Sequence, residues 1–453
     1  MKIAKINNKH IVQEFLRFDP TFHLSDSIQL KEILSVQPYR LSTVGEQSKD
    51  IFFGNIFSRI FVQDEKFGVP YMTASDMMKS DINSGKFIAK RQAEKLHNLI
   101  IKKDWILISC SGTLGNVIYT NELFENKMGT HDLIRIIPQN GEVKSGFLYA
   151  YLASKYGYTL LTQSSFGGVI KHINPEHVAN IPVPIFPQEK QEQIHNLITE
   201  AAKLRVEANR LLEEAVEVFE KEIGVSSNTI KTFSKKVKDL GFSWAAYNNN
   251  VECASIHEKL EGGSLRLGDL SEDIFAPPLF KHIYLSKDNG YPFITGSELT
   301  RQNIRFYRWL SPRGVKDINN YVVCKGSLLL YKSGTTDGGI LGNVFIADDN
   351  LDGVCLSDHI IRIKIDNIKM SYWVYAFLKS AVGVKLLQQL ATGTMIPFIT
   401  PERLKNLPIP MPDDKYEFVT HAIDVSLQKR VKANNNENQA ISLVENEIAL
   451  WQS

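Results

Sequence analysis

The order of apolar and polar positions predicts two strand-rich regions, each followed by a long amphipathic helix. Short apolar runs that end in a Gly-containing turn are typical of buried strands, and partly alternating runs are typical of strands packed on one face. Such runs lie at 105–109, 133–137, 327–331 and 360–365. Aromatic-rich stretches at 146–161 and 371–390 follow them at equivalent places and predict helices.

The first long amphipathic stretch runs from 188 to 222 without Gly or Pro. Its apolar residues step by three and four, which is the pattern of a coiled-coil seam held for about four heptads. The seam positions are Ile194, Leu197, Ala201, Leu204, Ala208, Leu211, Ala215 and Val218. At 1.5 Å per residue the helix would be roughly 50 Å long, and Gly224 is its expected C-cap.

A second amphipathic stretch, 413–451, occupies the equivalent place after the second strand-rich region. Its seam positions are Ile423, Leu427, Ile441, Val444, Ile448 and Trp451. The polar run 433–438 interrupts this seam and predicts weaker or locally irregular pairing. Because an exposed apolar seam needs a partner, the nearest candidate is the other long helix. Antiparallel pairing of the two would form a rigid spacer between the domains.

The chain contains the same passage twice. The stretch 68–77, Gly-Val-Pro-Tyr-Met-Thr-Ala-Ser-Asp-Met, is matched at 290–299 by Gly-Tyr-Pro-Phe-Ile-Thr-Gly-Ser-Glu-Leu. Likewise, 175–184 is Pro-Glu-His-Val-Ala-Asn-Ile-Pro-Val-Pro and 401–410 is Pro-Glu-Arg-Leu-Lys-Asn-Leu-Pro-Ile-Pro. A period this long indicates a duplicated domain rather than a short-repeat solenoid. Two similar domains would present two similar surfaces related by a pseudo-two-fold axis, which suits a partner with two similar half-sites.

Composition adds few constraints. The 453 residues are 43% hydrophobic and 23% charged, as in an ordinary folded protein. A net charge of +2 neither requires nor excludes a nucleic-acid partner, so any anion-binding face must come from the local placement of Lys and Arg. The four cysteines form no C-x-x-C pair, and no signal peptide or membrane-spanning apolar run is recognised. A soluble, cytoplasmic protein without a membrane association is expected.

Motifs for catalysis are absent from the sequence. There is no Gly-x-x-x-x-Gly-Lys-Ser/Thr phosphate loop and no Asn/Asp-Pro-Pro-Tyr/Phe motif of amino-methyltransferases. The histidines and cysteines have no metal-ligand spacing. His131-Asp132 and Asp358-His359 recur between the copies, but in reversed order, which favours a hydrogen-bonded turn over a shared catalytic geometry. We therefore expect no catalytic residue, no cofactor site and no metal site on this chain.

Two basic stretches at matching places in the copies are candidates for binding DNA. Arg can bind guanine with two hydrogen bonds, Gln and Asn suit adenine, and Lys neutralises phosphate. The candidate DNA-binding residues are Lys79, Lys86, Lys90 and Arg91 in the first copy, and Arg301, Gln302, Asn303, Arg305, Arg308, Arg313 and Lys316 in the second. A solvated basic loop is the alternative for either stretch alone. Their occurrence at matching places in both copies supports DNA binding.

The order and duplication of these motifs resemble the specificity (S) subunit of type I restriction–modification systems. The resemblance covers nearly the whole chain and rests on the repeated Ser-Gly-Thr triplet and on Asn-Ile/Leu-Pro-Val/Ile-Pro before each long helix. The run 181–194, Ile-Pro-Val-Pro-Ile-Phe-Pro-Gln-Glu-Lys-Gln-Glu-Gln-Ile, is its most specific match. The recognition residues of this family vary too much to be transferred, so the candidates above come from the basic stretches alone.

The resemblance implies a division of labour among subunits. Each globular repeat would be a target recognition domain for one half of a split double-stranded DNA sequence, and the two long helices would set the length of the unread gap. Two methyltransferase subunits would dock on this scaffold and methylate adenine with S-adenosylmethionine. Motor–nuclease subunits, with ATP and Mg²⁺, would join for cleavage. This chain would carry no active site.

The predicted fold class is α+β, with two similar mixed target recognition domains joined by two long helices in an antiparallel coiled coil. The predicted boundaries are 1–186 for the first domain, 187–223 for the central helix, 224–411 for the linker and second domain, and 412–453 for the distal helix. Two alternative functions stay open. One is the recognition subunit of a fused methyltransferase–nuclease system, and the other is a coiled-coil scaffold that binds protein and not DNA.

Overall fold

The protein is described here from a computed structural model. The structure describes residues 30, 33–34, 36–111, 114–163, 172–224, 234–240, 243–335, 340–393 and 395–451. It divides into two compact units: one comprises the residues up to Val206 together with those from Lys432 on, and the other is Glu207–Val431. Each unit therefore contains one copy of the repeat and one half of each long helix.

The described part of the first copy forms three small sheets. Their strands are β1 (Leu41–Thr43), β2 (Ser48–Phe52), β3 (Phe61–Val62), β4 (Gly68–Met72), β5 (Phe87–Ala89), β6 (Ile106–Ser109), β7 (Val117–Tyr119), β8 (Met128–Gly129), β9 (Leu133–Pro138) and β10 (Pro182–Pro184). The strand orders are β1-β10, β2-β9-β6-β7 and β3-β5-β4-β8. Its helices are α1 (Lys90–Lys95), α2 (Ser145–Ala153), α3 (Lys155–Gln163) and α4 (Pro175–Ala179), and the long helix α5 (Gln188–Ile223) follows.

The second copy repeats this arrangement. Its strands are β11 (Ser264–Arg266), β12 (Asp273–Phe275), β13 (Tyr284–Leu285), β14 (Tyr291–Ile294), β15 (Trp309–Leu310), β16 (Leu328–Tyr331), β17 (Val344–Ile346), β18 (Cys355–Leu356), β19 (Ile360–Lys364) and β20 (Pro408–Pro410). The strand orders are β11-β20, β12-β19-β16-β17 and β13-β15-β14-β18.

The described part of the second copy contains seven α-helices, of which the last four correspond in position to α2, α3, α4 and α5 of the first copy. They are α6 (Val251–Leu260), α7 (Leu267–Leu270), α8 (Gly296–Leu299), α9 (Ile368–Lys379), α10 (Ala381–Gln389), α11 (Pro401–Leu404) and the long helix α12 (Tyr416–Leu450). Single 3-10 turns lie at Glu65–Phe67, Asp76–Met78, His97–Leu99, Glu122–Phe124, Val237–Asp239, Ala246–Asn249, Lys287–Asn289, Pro312–Gly314 and Ile318–Tyr321. The predicted α+β class, with two similar domains and two long helices, is confirmed.

The central strands of each copy are buried on both faces, as their continuous apolar runs predict. Every residue of β6 and of β16 is buried. The aromatic-rich stretches are helical, but each is two helices separated by one serine. The hydroxyl oxygens of Ser154 and Ser380 accept hydrogen bonds, both 3.1 Å long, from the backbone N–H groups of Gly157 and Gly383. These N-terminal caps explain why a new helix begins after each serine.

One buried arginine occupies the same place in each copy. The guanidinium of Arg135 on β9 is fully buried and donates to four backbone carbonyls, including those of Leu133 at 2.8 Å and Gly129 at 3.0 Å. Its equivalent on β19, Arg362, donates to the Val322 carbonyl at 2.6 Å and to Asp273 at 2.9 Å. Burial lowers the pKa of Arg135 to about 10. Arg135 thereby connects β9 to β8 of another sheet, and Arg362 connects β19 to β12 of the same sheet and to Val322.

In the first unit, the beginning of α5 pairs antiparallel with the end of α12. The Lys190 ammonium pairs with Glu447, and further along both helices Arg205 pairs with Glu437. Buried apolar residues from both helices join the core of the first domain: Ile194, Ile198, Ala440, Ile441, Val444 and Ile448.

In the second unit, the end of α5 pairs antiparallel with the beginning of α12. Lys429 pairs with Glu207, and Lys415 with Glu222. Ile423 and Leu427 are buried, as predicted for the α12 seam, and they belong to the core of the second domain. Gly224 follows the last residue of α5 in a left-handed conformation, with φ of 59°, as expected for the residue that ends a helix.

The apolar stripe of α5 is wider than a two-helix seam. Leu204 is buried, whereas Leu197, Leu211 and Val218 are only half-buried. Phe219 lies outside the predicted seam and is buried, with its ring 4.7 Å from that of Trp373. Because α5 packs against a globular domain as well as against α12, it needs a broader apolar face than the coiled-coil pattern gives.

The local irregularity expected in the polar run 433–438 is not observed, because α12 is continuous through it. Ala433 is fully buried against Ala201 and Leu204. The polar side chains beside it are paired: Arg205 donates to Asn434 at 3.1 Å and forms an ion pair with Glu437. A polar partner on α5 therefore replaces the missing apolar contact.

Candidate nucleic-acid interface

The two candidate basic stretches lie on equivalent sheets. In the first copy β4 pairs antiparallel with β5, with Val69 opposite Ile88. In the second copy β14 pairs with β15, with Tyr291 opposite Leu310. Each residue of the second pair lies 222 positions after its counterpart in the first. The connections 73–86 and 295–308 therefore begin and end at equivalent positions of equivalent strands, although their sequences differ.

Each connection begins with the same carboxylate anchor. In the first copy, Asp76 Oδ2 accepts hydrogen bonds from the backbone N–H of Thr73 at 3.0 Å and from its hydroxyl at 2.5 Å. In the second, Glu298 Oε2 accepts from the N–H and hydroxyl of Thr295 at 2.8 and 3.0 Å. A cation completes both anchors: Lys79 lies 2.6 Å from Asp76, and Arg308 lies 2.6 Å from Glu298.

These anchors bind two of the candidate DNA-binding residues. Burial alone would raise the pKa of Asp76, but the contacts with Lys79 and Thr73 outweigh it and hold that pKa below its ordinary value. The hydrogen bond to Glu298 raises the pKa of Arg308. Lys79 and Arg308 thus have carboxylate partners within their own domains, which leaves them less suited to neutralising a phosphate.

The other candidates differ in exposure. Lys86, Lys90 and Arg91 are exposed and flank the short strand β5, the last two as the first residues of α1. In the second copy, the exposed candidates are Arg313 and Lys316, which follow β15. Half-buried candidates on the connection before β15 are Arg301, Gln302, Asn303 and Arg305.

An arginine that is not among the candidate DNA-binding residues, Arg59, lies beside the first basic stretch and against two aromatic rings. The exposed Arg59 lies 5.8 Å from the centre of the Phe57 ring and 5.7 Å from that of Tyr71. Its Nε donates to the Tyr71 hydroxyl at 2.6 Å, and its Nη2 donates to Thr130 at 3.3 Å. Nη2 also lies 3.5 Å from Nδ1 of His131. The side chain is therefore held in one orientation although it is exposed.

The second copy has a histidine at the equivalent place. The His282 ring lies 4.7 Å from that of Phe280, 5.0 Å from that of Phe293 and 6.2 Å from that of Tyr284. Its Nε2 is 3.8 Å from Asp358 Oδ1. We call these clusters the aromatic seats; they comprise Phe57, Arg59, Phe61, Tyr71 and His131 in the first copy, and Phe280, His282, Tyr284, Phe293 and Asp358 in the second.

A sequence signal for the aromatic seats exists. The stretch 57–61, Phe-Ser-Arg-Ile-Phe, is matched 223 residues later by Phe-Lys-His-Ile-Tyr at 280–284. His131 and Asp358 correspond through the parallel pairs of β4 with β8 and β14 with β18. The reversed order of the His-Asp and Asp-His dipeptides therefore places a histidine opposite Arg59 and a carboxylate opposite His282.

The aromatic seats are joined directly to the basic stretches. In the first copy, Gln92 of α1 accepts from the backbone N–H of Ile60 at 2.9 Å and donates to the Ser58 carbonyl at 2.6 Å, so it holds the chain on both sides of Arg59. In the second copy, the N–H of Ser311 donates to the Ile283 carbonyl at 2.7 Å, just before the turn with Arg313.

Several apolar side chains in the aromatic seats and in the neighbouring sequence are exposed. They are Phe53, Ile56, Ile60 and Phe61 in the first copy, and Leu279, Tyr284, Leu285 and Tyr307 in the second. Within the described ranges there is no helix long and apolar enough to cross a membrane, and no cluster of three or more potential metal ligands.

Two copies of one α+β frame, with different basic and aromatic side chains on equivalent sheets, define a duplicated recognition protein. A family model for the type I restriction modification DNA specificity domain matches the chain twice, at residues 47–217 and 263–445. The chain belongs to this family of DNA-recognition domains. The expectation drawn from its repeated motifs is thereby confirmed.

Solved structures with similarity to the chain carry related names. The type I restriction–modification S subunit from M. genitalium is 15% identical, with a TM-score of 0.30, over 91% of this chain and 95% of that one. The HsdS subunit from Thermoanaerobacter tengcongensis is 13% identical, with a TM-score of 0.29, over 91% of this chain and 96% of that one.

Proposed function

We propose that this chain is the DNA-recognition subunit of a type I restriction–modification complex and that its two domains bind the two halves of a split DNA sequence. The observation that carries the proposal is the matched register of β4–β5 and β14–β15, which frames two connections of different sequence. A shared frame with different basic side chains suits two similar DNA surfaces that present different bases.

The other activities of the complex are assigned to partner subunits. Two methyltransferase subunits would bring S-adenosylmethionine and methylate adenine, and motor–nuclease subunits would bring ATP and Mg²⁺ for cleavage. The present chain would bind DNA and position these partners without an active site of its own. The paired helices α5 and α12 would set the number of unread base pairs between the two half-sites.

DNA binding is tested by gel-shift titration of the chain with its methyltransferase at several salt concentrations. One variant reverses charge in the first copy (Lys86→Glu, Lys90→Glu, Arg91→Glu) and another in the second (Arg301→Glu, Arg305→Glu, Arg313→Glu). We expect salt-sensitive binding by the native complex and a large loss of affinity in both variants, because phosphate contacts dominate affinity. Lys49→Glu, at an exposed position of strand β2, is the control. The absence of salt-sensitive DNA binding by the native complex would support a protein-binding scaffold instead, and binding that survives both charge reversals would show that the two basic stretches do not contact DNA.

A further inference from the structure

We propose that Arg59 contacts a base of one DNA half-site and that His282 occupies the equivalent base-contacting position for the other. The inference rests on the proposed DNA-recognition function and goes further, because it names the residues that determine specificity. The two aromatic seats are built alike but hold different nitrogen-bearing side chains, Arg59 in the first and His282 in the second.

The geometry of Arg59 suits guanine. Its side-on donors, Nε and one N–H of Nη2, are used by Tyr71 and Thr130. Among the described residues, Nη1 has no hydrogen-bond partner, and the side chain is exposed. The remaining N–H groups are the two of Nη1 and the second one of Nη2, which lies 3.5 Å from Nδ1 of His131. Nη1 and this Nη2 N–H form the pair that can bind O6 and N7 of guanine when DNA replaces the long contact with His131. Because the aromatic rings already hold the side chain, little conformational entropy would be lost on binding.

The two aromatic seats share some residues and differ in others. The first aromatic, the isoleucine and the second aromatic recur as Phe-x-x-Ile-Phe and Phe-x-x-Ile-Tyr. The ring pairs Phe61–Tyr71 and Tyr284–Phe293 lie at similar separations of 5.6 and 6.0 Å. Phe57 and Phe280 are identical, the ring pair exchanges its hydroxyl group between Tyr71 and Tyr284, and the central side chain and the residue opposite it change in kind, from Arg59 and His131 to His282 and Asp358.

Arg59 and His282 would favour different bases. Arg59 has a planar fork of donors and lies beside His131, whereas His282 has an imidazole whose Nε2 is buried near Asp358. An imidazole cannot reproduce the two parallel hydrogen bonds of a guanidinium to guanine. The equivalent positions of the two half-sites should therefore carry different base preferences.

The test is to map methylated adenines in the DNA of a host that expresses this chain with its methyltransferase. For Arg59→Ala we expect discrimination to fall by about 10- to 100-fold at one base position of one half-site, with the other half-site and the gap unchanged. Arg59→Lys keeps the charge but not the fork, so it should relax the same position. His282→Ala should alter a position in the other half-site only.

Two results would contradict the proposed role of Arg59. A methylation motif that is unchanged in Arg59→Ala and Arg59→Lys, or a uniform loss at all sites without a change of motif, would show that Arg59 does not contact a base. Lys49→Ala, with an exposed lysine on the other sheet, is the matched control and should leave the motif unchanged. If these variants leave a two-part native motif intact, the inference fails while the proposed function stands. If the native complex gives no two-part motif, the proposed function itself fails.

Discussion

The arginines of this protein serve different purposes that depend on burial. Arg135 is completely buried and its two terminal nitrogens donate to backbone carbonyls, whereas Arg59 is exposed and its Nη1 has no hydrogen-bond partner among the described residues. Arg308 lies between these cases, because Glu298 holds it and aromatic rings cover it. We propose that exposed arginines such as Arg59 bind DNA.

Arg135 should matter for stability and not for specificity. In Arg135→Met several buried carbonyls lose their donor, at a cost of about 1–3 kcal/mol for each unsatisfied group. We expect the free energy of unfolding, measured by urea titration, to fall by ~3 kcal/mol, while the methylation motif stays the same. Arg362→Met is the matched variant of the second copy. A changed motif without a loss of stability would contradict this assignment.

Lys90 and Arg91 should contribute affinity rather than sequence preference. Both are exposed at the start of α1, and neither forms an ion pair within the part of the chain that the structure describes. Removing one phosphate contact lowers the slope of log K against log salt by about 0.9. For Lys90→Ala/Arg91→Ala we expect the slope to fall by about 2 with an unchanged motif, measured by fluorescence anisotropy at several salt concentrations. An unchanged slope would exclude phosphate contacts at α1.

Residue patterns predict which stretches are basic, but not which side chains of those stretches stay available. Lys79 and Lys86 look equivalent in sequence, yet Lys79 pairs with Asp76 and Lys86 is exposed. That difference depends on where the chain turns after β4, which periodicity does not specify. The sequence pattern alone does not identify Arg59 as a candidate, because the residues of its aromatic seat come from three separated stretches of the chain.

At the scale of elements, the long helices carry polar contacts inside their seam. Arg205 and Glu437 are nearly buried, with side-chain exposures of 12% and 5%, and Glu437 also accepts from the Tyr149 hydroxyl at 2.9 Å. A polar pair at a seam position favours one register of two helices, since any shift would leave a charge buried without a partner.

Removing one member of the Arg205–Glu437 pair should lower the free energy of unfolding more than replacing both members. Arg205→Met leaves Glu437 without its cation in a buried position, and we expect a loss of about 3–5 kcal/mol in the free energy of unfolding. In the double variant Arg205→Met/Glu437→Gln, the amide still accepts from Tyr149, and most of the loss should be recovered. Urea titration of four proteins, the native protein, Arg205→Met, Glu437→Gln and the double variant, measures the coupling energy. Additive losses would show that the two side chains do not act as a pair.

His195 makes the contact between α5 and α2 sensitive to pH. Its Nδ1 accepts from the N–H of Gly146 at 3.1 Å, at the N-terminus of α2. Burial, with a smaller effect of the Lys144 charge, lowers the pKa of His195 below 6.5. The folded state therefore binds this proton less readily than the unfolded chain, so stability is complete above pH 6.5 and declines as pH falls through that value.

We expect the melting temperature of the native protein to drop between pH 7.5 and 5.5, and less so in His195→Gln. Glutamine keeps an acceptor but has no proton to gain in this range. One proton contributes at most about 1.4 kcal/mol per pH unit. Calorimetry of both proteins across these pH values measures the difference. Equal pH dependence would assign the effect to other histidines.

At the scale of the whole molecule, duplication is the feature that sequence predicts best. The matched strand orders, the paired long helices and the equivalent buried arginines all follow from blocks that recur with offsets of 222 to 227 residues. Two details did not follow from pattern: the continuity of α12 through 433–438, and the burial of Phe219. Both depend on partners from distant parts of the chain, Arg205 in one case and Trp373 in the other.

The duplicated domains support the central proposal that the two domains bind two different half-sites of one DNA sequence. The most direct test is to map methylated adenines genome-wide in cells with and without this gene. We predict a methylation motif that depends on the gene and consists of two different short sequences separated by a gap of fixed length. A continuous short motif, or a methylation pattern that does not change when the gene is removed, would contradict the claim.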